Sequence, residues 1–263
     1  APSRSEGGKL WMGFLRTLAL VLMFACAIGL YYVSRWEGLD VRGVHVQGTE
    51  DLALDLESRT EDYLDSRVTP IWNTRNVFLV PIGGLQGYLM DEFPGIKSLD
   101  ITRSLNGSIT LAVQERAPAL ALCNPKGLCG KVGKDGVIID MIKPDERGEL
   151  LWVERAFETR PGGQVFSERE VEWFLTIQRM YQTELGLPLQ LIRVAKEKNE
   201  TIIEVHIVMQ TGYYLRVDFE TDVVYQGEVL RQVLATKLPP EQRSNLDYID
   251  LRVQNRAYYK MKK

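Results

Sequence analysis

The pattern of apolar and polar positions divides the chain into one long uncharged run near its start and a series of shorter, alternating segments after it. Between Arg16 and Arg35 lie eighteen residues without a charge, TLALVLMFACAIGLYYVS. An uncharged apolar run of about 18 or more residues is typical of a transmembrane helix. Aromatic residues, which favour membrane interfaces, stand on both sides of the run. We therefore predict a membrane span over residues 11–33, preceded by a short tail over residues 1–10.

Charges on either side of the span predict its orientation. The segment before it carries three basic residues and one acidic residue, and the first loop after it carries one basic and two acidic residues. The positive-inside rule then places the N-terminus in the cytoplasm and the following domains outside it. A cleaved signal is the alternative, because Ala25-Cys26-Ala27 resembles a cleavage site. Apolar residues continue past that site to Val33, so we favour an uncleaved anchor.

The region after the span has the pattern of a small α+β unit. Loose alternation and helical spacing predict, in order, strand 41–46, helix 52–65, an extended piece over 76–80 and helix 81–93. Two strand-like runs, 96–105 and 108–117, then flank Asn106-Gly107. This dipeptide favours a type I′ hairpin turn, in which both central residues need positive φ. The order strand, helix, helix, strand, strand predicts one compact unit over residues 38–116.

Beyond Pro118 the pattern predicts a second domain over residues 117–260 and a tail over 261–263. Its strands are expected at 119–122, 137–142, 150–153, 189–194, 201–209, 213–219, 248–253 and 256–260. One helix begins at Ser167, where Glu170 completes a capping box, and another covers 223–237. Asp250 and Arg252 share a strand face because they are two residues apart. We interpret them as a solvated charge pair beside a core leucine.

Charge and motif content exclude several functions. Beyond the first sixteen residues the chain has 29 basic and 34 acidic residues, which argues against a nucleic-acid surface. We find no G-x-S-x-G, no H-E-x-x-H and no P-loop, and we predict neither an enzyme nor a cofactor. A zinc site needs about four ligands, and the chain has two histidines, so we predict no metal site.

Two cysteines flank a short loop rich in turn-forming residues. Cys123 and Cys129 stand on either side of NPKGL. Outside the cytoplasm such a pair can oxidise to a disulfide. Two free thiols beside a turn are the alternative.

Three segments in combination resemble the FtsQ/DivIB cell-division family. They are VRGVHVQGTE after the span, EFPGIKSLDITRSLNGSITLAVQERAPALAL around the hairpin, and YIDLRVQNRAYYK near the end. The resemblance extends over about residues 10–260. It implies an α+β fold with a single N-terminal transmembrane helix, a POTRA domain (β-α-α-β-β) at 38–116, and a β-domain. That β-domain is a curved, mainly antiparallel sheet with helices on one side.

The resemblance also implies a function and a site. Members of the family are inner-membrane scaffolds at the division septum without enzymatic activity; their β-domain binds FtsB, itself partnered with FtsL, and the trio regulates septal peptidoglycan synthesis. The implied binding mode is β-augmentation, in which a partner strand pairs with the unpaired groups of the last edge strand. Carried onto this sequence, the partner edge comprises Val253, Asn255, Arg256, Ala257, Tyr258, Tyr259 and Lys260.

Two other functional classes stay open. A POTRA-type chaperone or transport component of outer-membrane export would require a C-terminal barrel of alternating strands or a barrel partner. A cell-wall hydrolase or protease would require an acid–base pair in a cleft. Acidic residues are abundant, so sequence alone does not exclude the second class.

Overall fold

The computed structural model describes residues 6–34, 36–66, 75–104, 106–158, 160–199, 201–253 and 256–262. The chain divides into two compact units, one formed by 1–92 with 96–115 and the other by 93–95 with 116–263. The predicted fold class is confirmed as a mixed α+β protein with one N-terminal apolar helix and a large mixed sheet.

Helix α1, Glu6–Ser34, contains the uncharged run. Its segment Gly13–Val33 has a mean hydropathy of 2.1, and none of it is buried against the rest of the protein. Among the described residues, α1 is the one helix long and apolar enough to cross a membrane. At 1.5 Å per residue the segment measures about 30 Å, which matches the hydrocarbon thickness of a bilayer.

The first unit continues with a three-stranded sheet and two helices. They are β1 (Gly43–Gln47), α2 (Ala53–Asp65), α3 (Ile82–Glu92), β2 (Ile96–Arg103) and β3 (Ser108–Glu115). The sheet order is β1-β3-β2, with β1 parallel and β2 antiparallel to β3. The starts of β1 and β3 and the end of β2 therefore meet at one end of the sheet. We call this the proximal end, because the chain enters it from α1.

Residues 76–80 form a turn, so the predicted extended piece is wrong. The carbonyl oxygen of Asn76 accepts hydrogen bonds from the backbone N–H groups of Leu79 (2.8 Å) and Val80 (3.0 Å). Its side-chain Oδ1 also accepts from the N–H of Phe78 at 3.0 Å. A short polar side chain that binds the backbone two residues ahead stabilises a turn over an extended chain.

The hairpin between β2 and β3 is present, but its predicted turn type is wrong. Gly107 has φ +86°. The N–H of Ser104 donates to the carbonyl of Ser108 (2.8 Å), and the N–H of Gly107 donates to the carbonyl of Ser104 (3.1 Å). This is the pattern of a three-residue connection that ends in a left-handed glycine.

The second unit is built on one large sheet. Its strands are β4 (Pro118–Cys123), β5 (Cys129–Gly133), β6 (Ile138–Ile142), β7 (Leu151–Glu154), β8 (Leu189–Lys198), β9 (Thr201–Met209), β10 (Tyr214–Val217), β11 (Leu246–Asp250) and β12 (Tyr258–Met261). Among the described residues they pair in the order β12-β11-β10-β9-β8-β7-β4-β5-β6. The β11/β10, β8/β7 and β7/β4 pairs are parallel and the other five are antiparallel.

Helices α4 (Glu168–Gln178) and α5 (Val223–Thr236) supply apolar side chains to the hydrophobic core on one face of this sheet. The capping box at Ser167 is confirmed, since its Oγ accepts from the N–H of Glu170 and its N–H donates to the Glu170 carboxylate. Apolar side chains of both helices belong to one buried cluster with alternate strand residues, including Phe174, Leu230, Val205, Leu215 and Ile249. The residues between them on β9, β10 and β11 therefore lie on the opposite face of the sheet.

Cys123 and Cys129 form a disulfide across the β4–β5 hairpin, with 4.1 Å between their Cα atoms. The two residues face each other in the strand register, and both are buried. Strand β5 is missing from the sequence prediction. It contains two glycines among five residues, which weakens its apolar alternation.

Replacing both Cys123 and Cys129 by serine is expected to lower the free energy of unfolding of the second unit by about 2 kcal/mol. The physical reason is the loss of a small ring that restricts the unfolded chain. Denaturant unfolding of the full chain, with and without reductant, measures the effect. Cys26→Ser, a change in the exposed part of α1, is the control and should have no effect. An unchanged midpoint for the double variant would contradict the prediction.

Candidate partner-binding edge

Strand β12 is the last strand of the large sheet and is paired along one side. It runs antiparallel to β11, with Tyr258 opposite Asp250 and Tyr259 opposite Ile249. In the described part of the chain, no strand pairs with its other side. In antiparallel sheets, backbone N–H and C=O groups point alternately to the two neighbours. The outer side of β12 therefore presents backbone groups that another strand can bind.

The opposite edge of the sheet, β6, is partly covered. The N–H of Ile138 donates to the carbonyl of Gly163 at 3.0 Å, and the N–H of Gly162 donates to the carbonyl of Ile138 at 2.8 Å. An isolated bridge between Val137 and Gln164 extends the same contact. The two edges differ, and β12 is the one that the described residues leave open.

Of the predicted site residues, Tyr258, Tyr259 and Lys260 lie in β12. The carbonyl of Val253 accepts a hydrogen bond from the N–H of Arg256 at 3.2 Å. Asn255 lies outside the described residues. Ala257 is partly buried and packs against the core of the sheet.

The final strand begins two residues later than predicted and ends one residue later. It starts at Tyr258, where pairing with Asp250 of β11 begins. It includes Met261, which the predicted domain boundaries assign to a tail. Met261 lies opposite Leu246 and packs against the core, which accounts for its place in the strand.

Tyr258 and Tyr259 lie on opposite faces of the sheet. Tyr258 shares the face of Asp250, while Tyr259 shares the buried face of Ile249. The two residues are 54% and 47% exposed. Each ring therefore offers apolar area with a polar tip beside the open backbone edge.

A group of charged side chains lies on the strands next to β12, on the face of the sheet opposite the helices. We call Glu204, His206, Arg216, Asp250 and Arg252 the carboxylate–guanidinium network. Oε1 of Glu204 accepts from Arg216 at 2.8 Å and lies 3.0 Å from Nε2 of His206, while Oε2 accepts from Arg252 at 2.9 Å. Arg252 also donates to both carboxylate oxygens of Asp250, at 2.9 and 2.6 Å. The network joins β9, β10, β11 and the segment after β11.

The interpretation of Asp250 and Arg252 as a solvated charge pair is wrong. Their side chains are 11% and 29% exposed, and Glu204 is 14% exposed. The two charges are shielded because Glu204 and Arg216 pack beside them on the neighbouring strands. Sequence reasoning missed the role of Glu204, since its contact with Arg252 spans 48 residues of chain.

The two carboxylates of the network, Glu204 and Asp250, stay ionised at neutral pH. Burial by itself would raise the pKa of Glu204, but hydrogen bonds from His206 and Arg216 and the charge of Arg252 hold that pKa below its ordinary value. Burial of Asp250 is likewise outweighed by hydrogen bonds from Arg252, which lower its pKa. Carboxylates with lowered pKa values are poor general acids near pH 7. The arrangement is suited to holding strands together rather than to proton transfer.

Aromatic and basic side chains extend this face to β12. The ring of Tyr214 lies 4.5 Å from that of His206 and 5.6 Å from that of Tyr248, between centroids. Nζ of Lys260 lies 3.0 Å from a carboxylate oxygen of Asp247 and 5.8 Å from the Tyr248 ring. The edge strand is thereby joined to its neighbours through side chains as well as backbone.

On the other face, a groove of about 570 Å³ lies between α5 and the segment that enters β12. Residues of α5 and of the turn line it: Tyr225, Glu228, Val229, Arg231, Gln232, Val233, Ala235, Arg256 and Ala257. Sequence reasoning missed this groove, because it depends on how α5 packs beside the edge. Among the described residues, no group of three or more His, Cys, Asp or Glu side chains is placed to hold a metal ion.

Comparison with known families and curated proteins identified no relative of this chain. No protein-family model matches the chain, and a search of curated proteins found no significant match. The functional argument therefore depends on the edge, the network behind it and the N-terminal helix.

Glu204→Gln is expected to lower the free energy of unfolding by about 1–3 kcal/mol, because two partly buried guanidinium groups lose their shared carboxylate. Denaturant unfolding of the full chain measures this. Glu228→Gln is the matched control, since Glu228 pairs with Arg231 on an exposed helix surface. Exposed ion pairs contribute about 0–1 kcal/mol to stability, so the control should lose little. Equal losses of unfolding free energy in the two variants would refute the structural role of the network.

The stability of the protein is expected to fall in acid through this network. The folded pKa values of Glu204 and Asp250 lie below their unfolded values, which are about 4.3 and 3.9. The contribution of the network is therefore complete above about pH 4.3 and is lost as the pH falls through the folded pKa values. Unfolding measured against pH should show a shallower acid loss for a Glu204→Gln/Asp250→Asn variant. Parallel curves for the two proteins would contradict this.

Proposed function

We propose that this chain is a bitopic scaffold protein of the bacterial division apparatus, of the FtsQ/DivIB type. Helix α1 anchors it in the cytoplasmic membrane with the N-terminus inside, and the parts of both units that follow α1 lie outside the cytoplasm. The second unit binds an FtsB-like partner, itself joined to an FtsL-like partner, at the septum. Through them it regulates septal peptidoglycan synthesis without enzymatic activity of its own.

The observation that carries this proposal is the open outer side of β12 in the described residues. An incoming strand gains backbone hydrogen bonds along the edge, and its alternate side chains reach both faces of the sheet. Tyr258 meets the incoming side chains on one face and Tyr259 meets them on the other. Affinity thus comes from the backbone and from two aromatic contacts.

Rigidity of the edge supports the same proposal. Strand β12 is held by β11, by Met261 in the core and by the Lys260–Asp247 ion pair. A surface that is already ordered adds little entropic cost to binding, so most of that cost falls on the partner. A disordered or flexible segment that becomes a strand on binding fits such an edge.

Basic residues in and beside β12 indicate which kind of charge a partner strand would carry. Arg256, Lys260 and Lys262 lie in or beside the four-residue strand. Asp247 balances Lys260, and Lys262 donates to the carbonyl of Ser244. Acidic residues on the partner would complement this end of the sheet and speed association.

We also propose that the first unit is a POTRA domain. Its element order from β1 to β3 and its sheet order β1-β3-β2 support this assignment. A small α+β domain of this kind would place a second interaction module between the membrane and the β-domain along the chain.

Tyr258→Ala and Tyr259→Ala are each expected to weaken binding of an FtsB-like/FtsL-like complex by about 1–2 kcal/mol, because aromatic anchors dominate such interfaces. Titration of the full-length chain in detergent measures the affinities. A photo-crosslinker placed at either position should capture the FtsB-like partner.

Leu128 provides the matched control. It is 44% exposed in the same unit, in the loop between β4 and β5, away from β12 in the strand order. Leu128→Ser should leave the affinity unchanged, and a crosslinker there should capture no partner. A stable complex with a chain that lacks residues 254–263 would refute the proposed site.

A further inference from the structure

The proximal end of the first unit exposes apolar side chains close to the end of α1. Trp36, Phe78 and Leu79 are 64%, 52% and 38% exposed. We propose that these three side chains lie in the headgroup region of the bilayer that α1 crosses, so that the first unit rests on the membrane surface. This inference rests on the membrane anchorage included in the proposed function and on no other part of it.

Backbone hydrogen bonds hold the turn at 75–80 against the linker that follows α1. The N–H of Val77 donates to the carbonyl of Leu39 at 2.9 Å. The N–H of Val41 donates to the carbonyl of Arg75 at 2.7 Å. The turn that carries Phe78 is therefore placed by the linker itself.

The linker is short. Leu39 lies five residues after Ser34, the last residue of α1, and five residues reach at most about 18 Å. The actual path is shorter, because the N–H of Leu39 donates to the carbonyl of Trp36 and the chain coils there into a 3₁₀ turn. The membrane segment ends at Val33. The turn at 75–80 is thus tethered close to the membrane interface, where aromatic side chains are favoured.

Two arginines stand at the same end of the unit. Arg103 donates to the carbonyls of Val77 (3.2 Å) and Phe78 (2.8 Å), and the N–H of Arg42 donates to the carbonyl of Gly107 (2.7 Å). Arg42 and Arg103 are exposed residues, and guanidinium groups can donate to lipid phosphates.

The charge of the proximal end is nevertheless close to balanced. Arg75 pairs with Asp65, and Asp40 lies beside Arg42 in the chain. Immersion of the apolar side chains therefore does not require anionic lipids. A zwitterionic bilayer is the appropriate test surface.

Leu54 is a matched reference position in the same unit. It is 79% exposed, near the start of α2. The other end of α2 lies at the proximal end, because Asp65 pairs with Arg75 there. Eleven residues of helix place Leu54 about 16 Å from Asp65 along the axis.

The experiment measures the depth of a nitroxide label in the full-length chain, reconstituted alone in phosphatidylcholine nanodiscs. Single labels are placed through Phe78→Cys, Leu79→Cys, Leu54→Cys and Leu22→Cys in a Cys26→Ser background that keeps the Cys123–Cys129 disulfide. Collision with oxygen, which concentrates in lipid, is compared with collision with a water-soluble nickel chelate. Two neighbouring proximal positions are used so that a folding defect at one does not decide the result.

At positions 78 and 79 we expect an accessibility to the nickel chelate that is several-fold lower than at position 54. It should still be higher than at position 22, which lies in the membrane span. Values at 78 and 79 equal to the value at 54 would overturn the inference while leaving the anchor in place. A water-accessible label at 22 would overturn the anchorage as well, and with it that part of the proposed function. Because no division partner is present, burial of the labels by such a partner cannot produce the expected result.

Discussion

Strand β12 is paired along one side only among the described residues, and a charged network ties together the strands next to it. Glu204 on β9 holds Arg216 on β10 and Arg252 after β11, while Asp250 holds Arg252 from the other side. These contacts link three strands to the segment that leads into the turn before β12. Side-chain contacts therefore tie together the strands next to β12, while the outer side of β12 has no paired strand among the described residues.

Open edges are a hazard that proteins normally cover or interrupt. In this protein, the loop at 162–164 meets the start of β6, whereas β12 keeps an exposed outer side flanked by two half-exposed tyrosines. Such an arrangement is understandable if a partner strand completes the sheet.

Local signals in the sequence identified most elements. The uncharged run predicted α1, the Ser167 capping box predicted the start of α4, and alternation predicted β9 and β10. The failures have physical causes. Asn76 forms a side-chain turn that an extended pattern does not reveal, and glycines hide β5. The hairpin closes between Ser104 and Ser108, with three connecting residues where a type I′ turn has two.

The candidate site was predictable in part. Its position near residues 256–260 came from the resemblance to a family, and the structure places β12 at 258–261. The network behind it was not predictable, because it depends on the register of strands far apart in sequence: Glu204 and Arg252 are separated by 48 residues. The groove beside α5 was not predictable either, because it depends on how α5 packs beside Arg256 and Ala257.

The central claim is that the outer backbone groups of β12 accept a partner strand. Amide hydrogen exchange of the full-length chain, in nanodiscs with and without a saturating FtsB-like partner, tests it most directly. The account predicts that outward amides of Tyr258–Met261 exchange rapidly in the free protein and several-fold more slowly in the complex, while those of Ile138–Ile142 do not change. Amides of β12 that are already as slow as those of β9 without a partner, or that keep their rate in the complex, would contradict it.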